Sequence, residues 1–242
     1  MAPPARSAAL PMPSAPPAGR PLRLLDNSGD PTGPIGYAVL EPDDADESTP
    51  LVIALHGMGD TAEGFARFLR RLGLRARFFV ARGPLPFGNF GGRQWYEMNA
   101  DDAMKQIHNR AKDLLTLADK VRALHPQAGK PLLLGFSQGA SIALQAALEF
   151  PDSWRGVVGL SGYIATEGGA VAPTSPMPVL VVAGTKDDIV PEARSWAAAG
   201  ALERAGNKDV RRFEFDGPHE IPKKVIEQVQ AFFVDVVGPG VR

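Results

Sequence analysis

Cysteine is absent from this 242-residue chain. Its absence excludes disulfides, a thiolate nucleophile, S-acylation and prenylation, and it leaves the redox compartment open because a cysteine-free chain tolerates either. Long apolar runs are missing as well, and none approaches the roughly 20 residues that carry a helix across a bilayer. Neither sign of charge dominates. The 26 Lys and Arg against 27 Asp and Glu leave a net charge of -1, without a long block of like charges, and this removes the electrostatic footprint of a nucleic-acid binder. His and carboxylate clusters at metal-ligand spacing are lacking, so no metal or organic cofactor is implied. No internal repeat is evident. What remains is 44% hydrophobic and 22% charged, the balance of one globular domain with a sizeable core.

Residues 1–20 are crowded with Pro and Ala and show neither helical nor strand period, so a disordered tail is expected there, ahead of a single domain over 21–242. Arg6 precedes a weakly apolar stretch, but prolines at 11, 13, 16 and 17 interrupt any signal-peptide core, and the cytoplasm is the expected compartment, with secretion left open. The acidic stretch Glu41 to Pro50 reads as an exposed loop. Beyond it, short apolar runs alternate with amphipathic ones. Leu51 to Leu55, Phe78 to Ala81, Leu132 to Leu134, Gly156 to Leu160 and Val179 to Ala183 have the continuous apolar character of strands buried on both faces, and Val210 to Phe215 adds another. Helices are expected over Glu63 to Leu72, Asp101 to Leu124, Gln138 to Phe150, Pro191 to Ala205 and Lys223 to Val237. In the second, Met104, Ile107, Ala111, Leu114, Ala118 and Val121 form one apolar stripe. Such alternation predicts an α/β fold, a mostly parallel sheet with helices on both faces, and Leu22 to Asp26 with Ile35 to Leu40 could supply an antiparallel edge.

One turn in this framework carries chemistry. Gly135-Phe136-Ser137-Gln138-Gly139 joins a buried strand to a helix, the sequence form of a nucleophile elbow, in which glycines two residues either side of the serine let strand and helix approach closely. A serine hydroxyl is a poor nucleophile unless a base takes its proton and a third group orients that base. Four histidines are available. His108 and His125, in or at the end of the long helix, read as solvated surface residues, whereas His219 lies in the turn-rich Asp216-Gly217-Pro218-His219-Glu220 between the last strand and the last helix and is the candidate base. The acid should fall between serine and histidine in chain order. Asp187 and Asp188, directly after the strand Val179 to Ala183, compete for the role. Spacing alone does not separate them; Asp187 is the first choice and Asp188 the reserve, each with an alternative role as helix N-cap, and Asp216 and Glu220 are weaker candidates.

Acyl transfer also needs backbone N–H donors for the developing oxyanion. Gln138, directly after the serine, should give one. The glycine-rich Leu55-His56-Gly57-Met58-Gly59-Asp60 should give the other through the Met58 backbone, with His56 bracing the loop by hydrogen bonds.

Together with Gly184-Thr185-Lys186-Asp187-Asp188-Ile189-Val190-Pro191 and Gly217-Pro218-His219-Glu220-Ile221-Pro222, the elbow and the glycine-rich loop resemble the four signature blocks of the phospholipase and carboxylesterase family of alpha/beta hydrolases, which includes the acyl-protein thioesterases. The resemblance runs from about Leu51 to Val236. It implies an alpha/beta-hydrolase fold, Ser137 as nucleophile, Asp187 as orienting acid, His219 as base, and Met58 and Gln138 as oxyanion donors. Asp188 departs from the small residue or proline often found there. The segment Gly91 to Met98 is similar to the family's aromatic segment beside the acyl pocket, so Trp95 is either a substrate-binding residue or a core tryptophan closing a loop, and Gly83 to Phe90 is either a mobile flap or a bent connection. The activity implied is hydrolysis of carboxylic ester or thioester bonds of a small-molecule substrate with a short- to medium-chain acyl group, with lysophospholipase or acyl-protein thioesterase as alternatives, and a catalytically silent binding scaffold outside enzymes. A homodimer is permitted.

Overall fold

In the computed structural model, described here for residues 22–25, 34–165 and 170–241, there are ten strands and five helices, of which the helices and all strands but β5 and β6 fall where the sequence pattern predicts. The strands are β1 (Leu22–Leu25), β2 (Tyr37–Pro42), β3 (Leu51–Leu55), β4 (Arg77–Ala81), β5 (Leu85–Phe87), β6 (Gly92–Gln94), β7 (Leu132–Phe136), β8 (Gly156–Leu160), β9 (Val179–Gly184) and β10 (Val210–Phe215). The helices are α1 (Ala62–Leu72), α2 (Ala103–Leu124), α3 (Gln138–Glu149), α4 (Glu192–Arg204) and α5 (Lys223–Val237). Eight strands form one sheet in the order β1-β2-β4-β3-β7-β8-β9-β10. From β4 onward every neighbouring pair is parallel, while β2 pairs antiparallel with both β1 and β4. The antiparallel edge is therefore where the two early runs suggested it. The Pro- and Ala-rich segment 1–20 lies outside the described residues.

Each sheet face has its own core. On one side α2, α3 and α4 pack over Leu133, Val157 and Val181; on the other, α1 and α5 pack over Val52, Leu134 and Val182. Helix α3 is buried along its whole length, and its polar residues Gln138, Ser141, Gln145 and Glu149 are each hydrogen-bonded. Helix α1 begins at Thr61, whose side chain accepts the Gly64 N–H, and ends at Gly73 in the left-handed region at φ 58°, a conformation that glycine adopts without a Cβ penalty.

Three expectations are corrected. Met104 is 46% exposed, so the buried stripe of α2 begins at Ile107. The acidic stretch is not all loop: β2 continues to Pro42, and the buried Glu41 holds Arg77 Nε at 2.6 Å. His108 and His125 are not simply solvated. The first lies 2.7 Å from the buried Glu149 carboxylate, and Arg77 donates to Nδ1 of the second at 3.1 Å. The segment 83–98 contains the short antiparallel hairpin of β5 and β6.

Candidate active site

Parallel strands deliver their following loops to one end of the sheet. At that end lie the turns after β3, β7, β9 and β10, with Met58, Ser137, Asp187 and His219. The link between β7 and α3 is so short that Ser137 sits at φ 55° and ψ -120°, a region that costs a non-glycine residue on the order of 1–3 kcal/mol. Surrounding contacts hold it there. The Ser137 N–H donates to the Leu160 carbonyl at 2.9 Å, and a Cβ on Gly135 would meet the Gly139 carbonyl. Gly139 in turn lies against the carbonyls of Leu55 and His56, so the elbow is packed directly on the glycine-rich loop after β3. A Cβ on Gly57 would come within 3.2 Å of the Phe136 ring and 3.4 Å of Ser137 Cβ.

Asp187 and His219 meet across two loops. Asp187 Oδ2 is 2.7 Å from His219 Nδ1, while Oδ1 accepts the N–H groups of Ile189 at 3.0 Å and Val190 at 2.8 Å. Burial pushes this carboxyl up, but the hydrogen bonds from His219 and the Val190 N–H, with a smaller contribution from the Ser161 side chain, outweigh it and hold the group below the usual carboxylate range. Asp188, the adjacent alternative, points to solvent. Asp216 pairs with Lys186 at 2.8 Å. Gly184 keeps the two loops together, because a Cβ there would lie 2.5 Å from the Gly217 carbonyl and 2.9 Å from that of Pro218. The His219 ring rests on Phe136, centroids 4.8 Å apart, next to Ser137 in the chain.

Ser161, at the end of β8, repeats the backbone of Ser137. It has φ 52° and donates its N–H to the Val182 carbonyl at 2.9 Å. No sequence signal comparable to the elbow's flanking glycines pointed to it.

The glycine-rich loop after β3 is braced from below. Fully buried His56 accepts the Gly83 N–H at Nε2 (3.0 Å), so Nδ1 carries the proton and donates to the Gly57 carbonyl at 2.7 Å. Burial lowers its pKa, which keeps the ring neutral, as the bond from Gly83 requires. Trp95 has no exposed surface, and its indole N–H donates to the His56 carbonyl at 2.8 Å. That is the position of a loop-closing core tryptophan rather than of a pocket wall. The Gln138 side chain completes the brace: its oxygen accepts the Trp95 N–H at 3.0 Å and its nitrogen donates to the Tyr96 carbonyl at 3.1 Å. Beside Met58 opens a cleft of about 480 Å³ lined by Phe87, Gln94, Glu97 and Met98 among others. Met58, Phe87 and Met98 are each 39–50% exposed.

Residues 37–236 match the family described as Phospholipase/Carboxylesterase. The chain belongs to this family. The match spans all four turns just described, and an ester hydrolase of the alpha/beta-hydrolase fold is what membership makes it. Among curated relatives, "Acyl-protein thioesterase 1" of Gibberella zeae is 28% identical over 81% of this chain and 94% of its own length. The "Putative esterase NocK" of Nocardia uniformis is 32% identical over 60% of this chain, a match that spans 42% of that protein. Among solved structures, esterase PE8 superposes with a TM-score of 0.71 at 25% identity, over 84% of this chain and 99% of that one. The Bacillus cereus carboxylesterase superposes at 0.73 and 19% identity, over 85% and 96% respectively, and shares the fold. Among the described residues no helix is long and apolar enough to cross a membrane, and no group of three or more His or carboxylate side chains could hold a metal.

Proposed function

We propose that this family member cleaves carboxylic esters of short- to medium-chain acyl groups through Ser137, His219 and Asp187. The observation that carries the reading is the 2.7 Å contact between Asp187 and His219 beside a serine held in a strained elbow. His219 takes the Ser137 proton as Oγ attacks the acyl carbon, and Asp187 fixes the tautomer and stabilises the imidazolium. The backbone N–H groups of Met58 and Gln138 receive the oxyanion; one such donor is worth roughly a hundred- to a thousandfold in turnover. His219 then protonates the leaving alcohol, and water activated by the same ring releases the acyl group. The exposed Met58, Phe87 and Met98 along the cleft offer apolar surface to the substrate.

The likeness to an acyl-protein thioesterase over most of both chains favours thioesters as a second substrate class. The deciding experiment is turnover of 4-nitrophenyl esters from acetate to palmitate, with matched thioesters, by the wild type and Ser137→Ala, together with labelling by a fluorophosphonate. Turnover and labelling that both vanish in Ser137→Ala support the proposal; a folded wild type that does neither overturns it in favour of a silent binding scaffold. We further propose that the protein works in the cytoplasm, which cell fractionation would test, and that it self-associates as a dimer, which sedimentation would test.

A further inference from the structure

Arg194 stands apart from the other arginines of the β9–β10 edge. Arg211 and Arg212 each hold a carboxylate, Asp209 at 2.7 Å and Glu203 at 2.5 Å. Arg194, exposed in the first turn of α4, forms no ion pair among the described residues; its guanidinium instead lies over the Tyr163 ring, 3.7 Å from the centroid. Stacking on an aromatic face orients the planar fork while leaving its N–H edge free for a carboxylate.

The stack stands next to the nucleophile. Leu160 accepts the Ser137 N–H, and three residues later the Tyr163 N–H donates to Ser141 Oγ at 3.2 Å, one helical turn below Ser137. The Tyr163 hydroxyl meets that of Tyr96 at 2.8 Å, and the Tyr96 carbonyl is held by Gln138. Arg194, Tyr163 and Tyr96 thus form a wall tied to the elbow. Its sidedness is also given. Tyr96, Tyr163 and Trp196 of α4 belong to the core of α2, α3 and α4, whereas Phe136, on which His219 rests, packs with the core of α1 and α5. Because His219 delivers its proton to the departing alcohol, the alcohol occupies His219's side and the acyl part turns toward Tyr163.

We propose that Arg194, stacked on Tyr163, is a binding residue for a carboxylate at the far end of the substrate's acyl group, so that the preferred substrates are monoesters of dicarboxylic acids. The inference rests on the ester-hydrolase reading above. Burial raises the Tyr96 pKa, so its hydroxyl adds no negative charge to oppose the carboxylate. Hydrolysis conserves it: water adds across the ester, giving the dicarboxylate and the free alcohol.

The test compares kcat/KM for mono(4-nitrophenyl) adipate with that for 4-nitrophenyl hexanoate, two acyl chains of equal length differing in the terminal charge. Arg194→Met should lower turnover of the adipate ester about tenfold or more and leave the hexanoate ester within about twofold, with Arg194→Lys in between. The adipate advantage should shrink as salt is raised. An unchanged ratio of the two esters in Arg194→Met overturns the proposal. So does an Arg194 dependence confined to 4-carboxyphenyl hexanoate, which carries its charge on the leaving group. Calorimetric binding of the same two esters to Ser137→Ala, with and without Arg194→Met, gives a readout independent of turnover. Tighter binding of the adipate ester that Arg194→Met abolishes supports the carboxylate site even if wild-type chemistry fails, and equal binding overturns it even if the wild type is an active esterase.

Discussion

Replacing Gln138 by leucine would separate the two uses of this residue. Leucine keeps the volume and the backbone N–H proposed as an oxyanion donor, but removes the amide that accepts the Trp95 N–H at 3.0 Å and donates to the Tyr96 carbonyl at 3.1 Å. Gln138 is 4% exposed, so water cannot replace the lost partners. Two buried backbone groups left unpaired cost about 1–3 kcal/mol each, and removing the amide's own desolvation offsets part of that. We expect a net loss of about 3 kcal/mol. In a chain of this size each kcal/mol is worth about 2–4 °C, so the melting temperature should fall by about 6–12 °C. Turnover should fall as well, by about tenfold, because Trp95 holds the His56 carbonyl at the base of the loop proposed to supply an oxyanion donor, and a small misplacement there weakens the developing charge's partners. Gln138→Glu adds a sign test. An ionised Glu accepts from Trp95 but repels the Tyr96 carbonyl, and a protonated Glu satisfies both. Its folded pKa should therefore be raised, and its deficit relative to wild type should narrow as pH falls from 7 to 5. The assays are a thermal melt and 4-nitrophenyl butyrate hydrolysis well below the melting range. If Gln138→Leu melts within about 2 °C of wild type at full turnover, the clamp contributes nothing and the reasoning fails.

Gly57→Ala brings a methyl to 3.2 Å from Phe136 and 3.4 Å from Ser137 Cβ; it should fold with a melting temperature near wild type yet lose turnover through displacement of the nucleophile, and equal kcat would refute that crowding. Asp187 has a lowered pKa in the folded protein, so its ionised form adds stability above the ordinary aspartate value of about 3.9, and that contribution disappears as pH falls through the folded value. Melts of Asp187→Asn between pH 7 and 3 should therefore decline less steeply at the acid end than wild type, whereas parallel curves would contradict the assignment. The His56 imidazole should titrate by NMR at lower pH than an ordinary histidine, since burial lowers its pKa and protonation would expel the bond from Gly83, and a midpoint at or above the ordinary value would contradict this. Glu41→Leu removes the carboxylate partner of the buried Arg77, at the opposite end of the strands from the candidate site, and should cost about 3 kcal/mol while leaving kcat at low temperature unaltered.

The fold was legible because strands buried on both faces read as unbroken apolar runs, and because α2 from Ile107 onward keeps a strict helical period. The elbow was legible for a steric reason: at both Gly135 and Gly139 a Cβ would strike backbone. Asp187 and Asp188 could not be separated by spacing, since neighbours in a loop differ only in direction; three-dimensional closure of the β9 and β10 loops turns one inward and leaves the other in solvent. His108 and His125 were misread because their partners, Glu149 and Arg77, lie 41 and 48 residues away. The hairpin escaped notice because its strands are three residues each, with Pro86 inside one of them. The Tyr163 and Arg194 stack joins the loop after β8 to the first turn of α4, 31 residues apart in the sequence, and leaves no local signal.

The two strained serines have a mechanical consequence. Ser137 closes β7 by hooking onto the end of β8, and Ser161 closes β8 by hooking onto the end of β9, from which Asp187 follows. Ser137 and the turn that carries Asp187 are thus fastened to one another by main chain, rung by rung, along the rim of the sheet. Such an assembly has no hinge at which it could loosen first. Heat should abolish the ester reaction and the sheet's circular dichroism at the same temperature, and the amide protons of Ser137 and Ser161 should exchange with solvent only when the whole domain opens.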